Sequence, residues 1–204
     1  MKSIAPLALA LLLACAPASA LEWGKDYVEV PAQPTSAKRG QVEVLEFFWY
    51  RCPHCFHLEP ELNAWLKKVP KNVVFKRVPG VLNDSWIPLT RAYYALEAVG
   101  LLNDLHDDVF HAIHVQGMDL NPRNAFLDWA VTKGADRKKL ADAYNSFSVD
   151  TKVMRAQQLT RAFRLSGVPG FVVNGKYSTS AYLTGGVPEM FKVLDGLIAQ
   201  ESRK

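Results

Sequence analysis

The stretch that decides the reading is Val44-Leu45-Glu46-Phe47-Phe48-Trp49-Tyr50-Arg51-Cys52-Pro53-His54-Cys55. Its first half is a near-continuous apolar run, the signature of a strand buried on both faces. Behind it, Leu58, Leu62, Trp65, Leu66 and Val69 recur at helical spacing, which gives one apolar face. Cys52 and Cys55 are therefore expected at a strand-to-helix junction, in the first turn of the helix. Backbone N–H groups there lack intrahelical partners, and the helix dipole is positive. A thiolate is stabilised in that place, and the thiolate is the reactive form of cysteine. Two residues of separation allow the pair to close a small disulfide ring.

Cysteine usage sharpens this. The chain of 204 residues holds three cysteines, and one, Cys15, lies in an amino-terminal segment with export character. Lys2 gives that segment a basic start, Ile4 to Ala14 are mostly apolar, and Ala18-Ser19-Ala20 fits a small-residue cleavage site. Residues 1–20 are expected to be a signal peptide, leaving a soluble exported protein. A competing expectation comes from Leu12-Leu13-Ala14-Cys15, which is similar to a lipoprotein processing box and would leave a lipid anchor on Cys15. Either way the exported protein keeps only Cys52 and Cys55, in an oxidising compartment. A disulfide closing so small a loop removes little chain entropy, which disfavours a purely structural bridge. Metal binding by Cys52, His54, Cys55 and His57 is disfavoured because neighbouring helical positions point apart and no second ligand pair has finger-like spacing. No metal is expected, and no cofactor beyond the redox-active cysteine pair.

Composition fits a globular protein: 22% charged, 49% apolar, formal charge +4 with the charges scattered. Nothing forms a nucleic-acid footprint.

Outward from the motif, Tyr27 to Val30 is a short strand candidate and residues 42–50 form the central strand. Pro60 is expected to kink the helix. Val73 to Val78 is a strand stopped by Pro79-Gly80, so strand, helix and strand form a parallel crossover unit. Residues 84–150 carry only helical stripes: Leu89, Tyr93, Leu96 and Val99; then Leu102, Leu105, Val109 and Ile113; then Phe126, Trp129 and Ala130; then Leu140 and Tyr144. About four helices are expected there. A helix over 151–166 follows, then Phe171-Val172-Val173 and Lys176-Tyr177-Ser178 as a hairpin around Asn174-Gly175. Gly185-Gly186 is expected to end the hairpin, and Pro188 opens the last helix.

A strand, Cys-x-x-Cys at a helix start, a kinking proline, a helical insertion and then Val168-Pro169 before a hairpin resemble the DsbA family of periplasmic thiol:disulfide oxidoreductases. Ala143-Tyr144-Asn145-Ser146-Phe147 and Gly167-Val168-Pro169 extend the match over nearly the whole mature chain. Trp49-Tyr50-Arg51 departs from a more uniformly apolar run. The resemblance implies an α/β, thioredoxin-like fold: a central mixed sheet flanked by helices over 21–83 and 151–204, with an all-helical insertion at 84–150. It implies an enzyme that donates the Cys52–Cys55 disulfide to reduced exported proteins through a mixed disulfide at Cys52. A membrane oxidase of the DsbB kind, linked to quinone, would then re-oxidise it. The acting species is expected to be a monomer. A reductase or isomerase of the same fold, or a peptide-binding chaperone, are the alternatives.

Site roles follow the same line. Cys52 is the attacked sulfur and Cys55 the shielded one. Lowering Cys52 by three units needs about 4 kcal/mol, while a helix dipole gives at most about 2. The N–H groups of His54 and Cys55 and the His54 ring are expected to add the rest, with Pro53 starting the helix. By resemblance the Val168–Pro169 bond is cis and packs over the cysteines, offering the Val168 backbone to an extended substrate. Glu46, alone among apolar neighbours, needs a partner, and Lys76 in the next strand is expected to provide it. By resemblance Glu46 shuttles the Cys55 proton. His106, His111 and His114 read as solvated helix surface.

Overall fold

The computed structural model describes residues 21–203; the expected export segment, with Cys15, lies outside the described residues. Five strands form one mixed sheet: β1 (Val28–Glu29), β2 (Val42–Phe48), β3 (Val73–Pro79), β4 (Gly170–Val173) and β5 (Tyr177–Thr179). Their order is β1-β5-β4-β2-β3. β2 pairs parallel with β3 and antiparallel with β4, so all seven of its residues are buried. That is why it reads as a continuous apolar run rather than an alternating one. The strand ends at Phe48, two residues short of the expected boundary.

The helix α1 (Pro53–Leu66) crosses from β2 to β3. It is carried through Pro60 as one helix, although Pro60 has no N–H to donate. Its inner face, Leu58, Leu62 and Trp65, packs with Val42, Val44, Phe171 and Val173 of the sheet. The last helix, α8 (Val187–Glu201), closes the same layer with Met190, Leu194 and Leu197.

Between β3 and β4 the chain forms α2 (Ile87–Ala98), α3 (Leu102–His114), α4 (Arg123–Thr132), α5 (Arg137–Tyr144) and α6 (Phe147–Ala162). These helices bury a second core against Leu45, Phe47 and Val172 on the opposite sheet face. α6 begins at Phe147, not at 151, because the Ser146 side chain caps it by accepting from the Val149 N–H. A further difference follows β5. A short helix, α7 (Ala181–Thr184), stands between the hairpin and Gly185, capped by Ser180. Its four residues are too few for periodicity to show.

The hairpin turn has the conformation its residues imply. Asn174 and Gly175 both have positive φ, 51° and 66°, as a primed turn demands. Lys176 follows as an extra loop residue, since Val173 lies opposite Tyr177. A Cβ on Gly175 would stand 2.3 Å from the Gln33 carbonyl oxygen. Gly175→Ala is expected to cost about 2 kcal/mol or more through backbone strain, measured by urea unfolding. An unchanged midpoint would refute this account of the turn.

Candidate active site

Cys52 is the N-cap of α1, in extended conformation, with Pro53 filling the first helical position. Pro53 suits that position because no N–H is needed there. The cap geometry points the Cys52 sulfur at the helix end, where the Cys55 N–H donates to Sγ at 3.4 Å. Both cysteines are free thiols and both are buried, Cys55 completely. The Cys52 thiol in turn donates to the Val168 carbonyl at 3.4 Å, and the Val168–Pro169 peptide is cis. Val168, Pro169 and Cys52 thus form one patch, 116 residues apart in sequence.

The two sulfurs titrate in opposite directions. The Cys55 thiol, by hydrogen bonding to its neighbour, is the largest influence lowering Cys52 to about 6. Burial opposes it, and the N–H groups of Cys55 and His54 and the charge of His54 add to it. Cys55 itself is pushed far up, by burial first and then by the Cys52 sulfur. The pair therefore divides into a thiolate and a protected thiol. Sequence reasoning identified the helix donors but not the Cys55 thiol as the foremost contributor. His54 is exposed, and its charge is the smallest of the five influences.

Beneath the cysteines lies a buried ionic group. Glu46 is completely buried on β2 and meets Arg77 of β3, with Arg77 Nε 3.2 Å from Glu46 Oε2. The expected partner, Lys76, is elsewhere: it lies 3.4 Å from Glu43 and contacts Ser36. The cause is register. Glu46 is opposite Arg77 and Leu45 opposite Lys76, and a shift of one residue puts a side chain on the other face of a sheet. Arg77 also bonds Glu59 of α1 at 2.7 Å. Glu59 faces His106 of α3 at 3.4 Å, and the Tyr50 hydroxyl lies 2.9 Å from His106 Nδ1. His106 is thus buried rather than solvated, and His114 Nε2 lies 2.7 Å from the Tyr50 carbonyl; only His111 is exposed surface. Burial, with the Glu59 charge, raises Glu46 to about 8 against the pull of Arg77. The Glu46 charge in turn raises Cys55.

Arg77, Glu59, His106 and Tyr50 were missed by sequence reasoning. Glu59 had a signal: it stands four residues after Cys55 and so shares the helix face that turns inward. Trp49 and Tyr50 have structural tasks, since Trp49 stacks on Trp86 with centroids 4.1 Å apart. Glu59, His106 and Asp107 bring ligand atoms close together. The Arg77 guanidinium already bonded to Glu59 disfavours a cation there.

A groove of about 980 Å³ runs beside the cysteines. Its lining includes His54, His57, Leu58, Phe163, Val168 and Pro169. Among the described residues, no helix is long and apolar enough to cross a membrane.

A helix-capping Cys-x-x-Cys with one depressed thiol, facing a cis-proline loop on a mixed five-stranded sheet, defines a thioredoxin-like thiol:disulfide oxidoreductase. Comparison with known proteins narrows this. Residues 73–195 match the family described as "DSBA-like thioredoxin domain". The thiol:disulfide interchange protein DsbA of Burkholderia cepacia is 43% identical over 199 residues, 97% of this chain and 94% of that protein. DsbA of Bordetella parapertussis is 42% identical over 202 residues, 98% and 96% of the two chains. The crystal structure of Pseudomonas aeruginosa DsbA superposes with a TM-score of 0.84 at 37% identity, covering 90% of this chain and 95% of that one. The chain belongs to the DsbA family and is a protein disulfide oxidoreductase.

Two outcomes follow from the site. Because Cys52 titrates lower folded than unfolded, it stabilises the reduced protein fully above about pH 9 and loses that contribution as pH falls through about 6. Thiolate ultraviolet absorbance of the reduced protein is expected to fall with a midpoint near pH 6, and a midpoint near 9 would contradict the geometry. Arg77→Met leaves two buried carboxyls without their cation and is expected to cost about 3 kcal/mol at neutral pH. Equal stability of that variant and the parent in guanidinium unfolding would show that the ion pairs contribute nothing.

Proposed function

We propose that this protein donates its Cys52–Cys55 disulfide to reduced proteins exported to the periplasm. The supporting observation is the split between the two sulfurs, Cys52 drawn down to about 6 and Cys55 pushed far up. In the oxidised protein, a substrate thiolate attacks the Cys52 sulfur. The ring S–S bond breaks and its electron pair leaves on Cys55. Cys55 sits where a charge is costly, so it requires a proton at once. Glu46, raised to about 8 and so protonated at neutral pH, is suited to give it. A second substrate thiolate then attacks the substrate sulfur of the mixed disulfide. Cys52 departs readily because its thiolate is stabilised, and a good leaving thiolate makes the disulfide a strong oxidant.

The groove beside Val168 and Pro169 suits an extended apolar segment of the substrate. Half of its lining residues are aliphatic or aromatic, and the Val168 backbone can pair with a strand laid beside Cys52. Completion of the cycle requires an oxidant for the dithiol, and a membrane partner of the DsbB kind fits the family. Localisation in the periplasm follows the export character of residues 1–20.

The test is oxidation of a reduced, unfolded protein carrying a single cysteine pair. The oxidised chain is expected to transfer one disulfide per molecule. Cys52→Ser is expected to abolish transfer, and Cys55→Ser, loaded as a mixed disulfide at Cys52, to pass that link to substrate without closing its own ring. Undiminished transfer by Cys52→Ser would remove the proposal.

A further inference from the structure

The buried ionic group has more carboxylates than its one guanidinium can serve equally. Arg77 Nη2 bonds Glu59 at 2.7 Å, whereas Arg77 Nε approaches Glu46 at 3.2 Å without hydrogen-bond alignment. Among the described residues, neither carboxyl oxygen of Glu46 has a hydrogen-bond partner. Arg77 is thus committed first to Glu59. What Glu59 receives from elsewhere then decides how much of Arg77 remains for Glu46.

His106 is that other donor. Glu59, a carboxylate paired with Arg77, can only accept, so the ring hydrogen of neutral His106 belongs on Nε2 and Nδ1 accepts from the Tyr50 hydroxyl at 2.9 Å. Nε2 faces Glu59 Oε1 at 3.4 Å. The ring is fixed by edge-on packing against Phe48, Tyr93 and Phe110. The charged and titratable groups around Glu46 are Cys55 and Glu59 from α1, Arg77 from β3 and Tyr93 from α2. Around His106 they are Glu59, Tyr50 and Tyr93, with Asp107 beside it on α3. Arg77, His106 and Asp107 also border a cleft of about 430 Å³.

We propose that His106 is a positioning residue of the disulfide reaction. By donating to Glu59 it leaves Arg77 available to Glu46, and so sets how readily Glu46 takes the proton of Cys55. The inference rests on the reading of Glu46 as the proton partner of Cys55. It gives the helices between β3 and β4 a part in the chemistry, through α3.

The step concerned is ring closure from a mixed disulfide. With glutathione disulfide as the probe, the Cys52 thiolate first attacks it and releases one glutathione thiolate. Cys55 then passes its proton to the Glu46 carboxylate, and its sulfur attacks the Cys52 sulfur. The bond to glutathione breaks, and the electron pair leaves on the second glutathione thiolate. The dithiol is oxidised by two electrons, and glutathione disulfide is reduced by the same two.

Stopped-flow oxidation of the reduced full chain, at glutathione disulfide high enough that ring closure limits the rate, reads this step against pH. In His106→Asn, whose shorter amide reaches only the Nδ1 position and leaves Glu59 without this donor, the half-maximal pH is expected to rise by about one unit, which is about a tenfold loss of rate at neutral pH. Glu59→Gln removes the competitor for Arg77 and is expected to shift the profile the opposite way, to lower pH. His106→Gln, whose amide N–H stands near the place of Nε2, is expected to keep the parent profile, which a merely structural role of the ring would not. The Cys52 thiolate titration in the same proteins should stay near that of the parent. A His106→Asn profile superimposed on the parent, while Glu46→Gln slows closure, overturns the inference alone. An unaltered profile in Glu46→Gln overturns both the inference and the proton-partner reading. If His106→Asn does not fold, His106→Leu, which has no donor, decides: an upward shift supports the inference, and a downward or absent one overturns it.

Discussion

The constraint on which the site depends is that one sulfur, Cys52 Sγ, occupies the place of a helix cap. Most N-caps are oxygen acceptors from serine, threonine or aspartate side chains. Here the acceptor is a thiol that can ionise, and the donors that would hold a cap oxygen hold a thiolate instead. Pro53 assists by needing no partner for its nitrogen. Charge on Cys52 is therefore favoured by the same local geometry that starts α1. The reactivity is built into the beginning of a secondary-structure element.

The rest of the architecture maintains a difference between two sulfurs three residues apart. Cys52 lies against the Val168 carbonyl at the edge of the groove, while Cys55 is one turn inward and wholly enclosed. β2 delivers the motif from an interior strand of the sheet that is buried along its whole length. Val168 and Pro169 reach them because β4 lies antiparallel beside β2. Below the pair, Glu46, Arg77 and Glu59 place ionisable groups where apolar side chains would ordinarily stand. Such groups are costly to bury, which accords with a role in moving protons rather than in holding the fold together.

Much of this was legible in the sequence because it is local. The buried run of β2, the helix start at Cys52, the Asn174-Gly175 turn and the helical stripes between β3 and β4 all follow from periodicity and capping. Misreadings occurred where long-range register or short length governs. Glu46 meets Arg77 and not Lys76 because of a parallel register that neither strand specifies alone. His106 looked like helix surface beside Asp107 and Asp108, yet α3 turns it toward Tyr50 and Glu59. The influence of the Cys55 thiol on Cys52 is a tertiary fact as well, since it depends on how deeply Cys55 is enclosed.

The central claim is that the folded protein favours the reduced pair because it favours the Cys52 thiolate. The direct measurement is the equilibrium of the Cys52–Cys55 pair with reduced and oxidised glutathione across pH. The account predicts that the pair lies toward the dithiol at glutathione ratios that leave an ordinary protein disulfide intact. It also predicts that this preference weakens as pH falls through about 6, relative to glutathione. A pair that stays disulfide-bonded under those ratios, with no inflection near that pH, would contradict it.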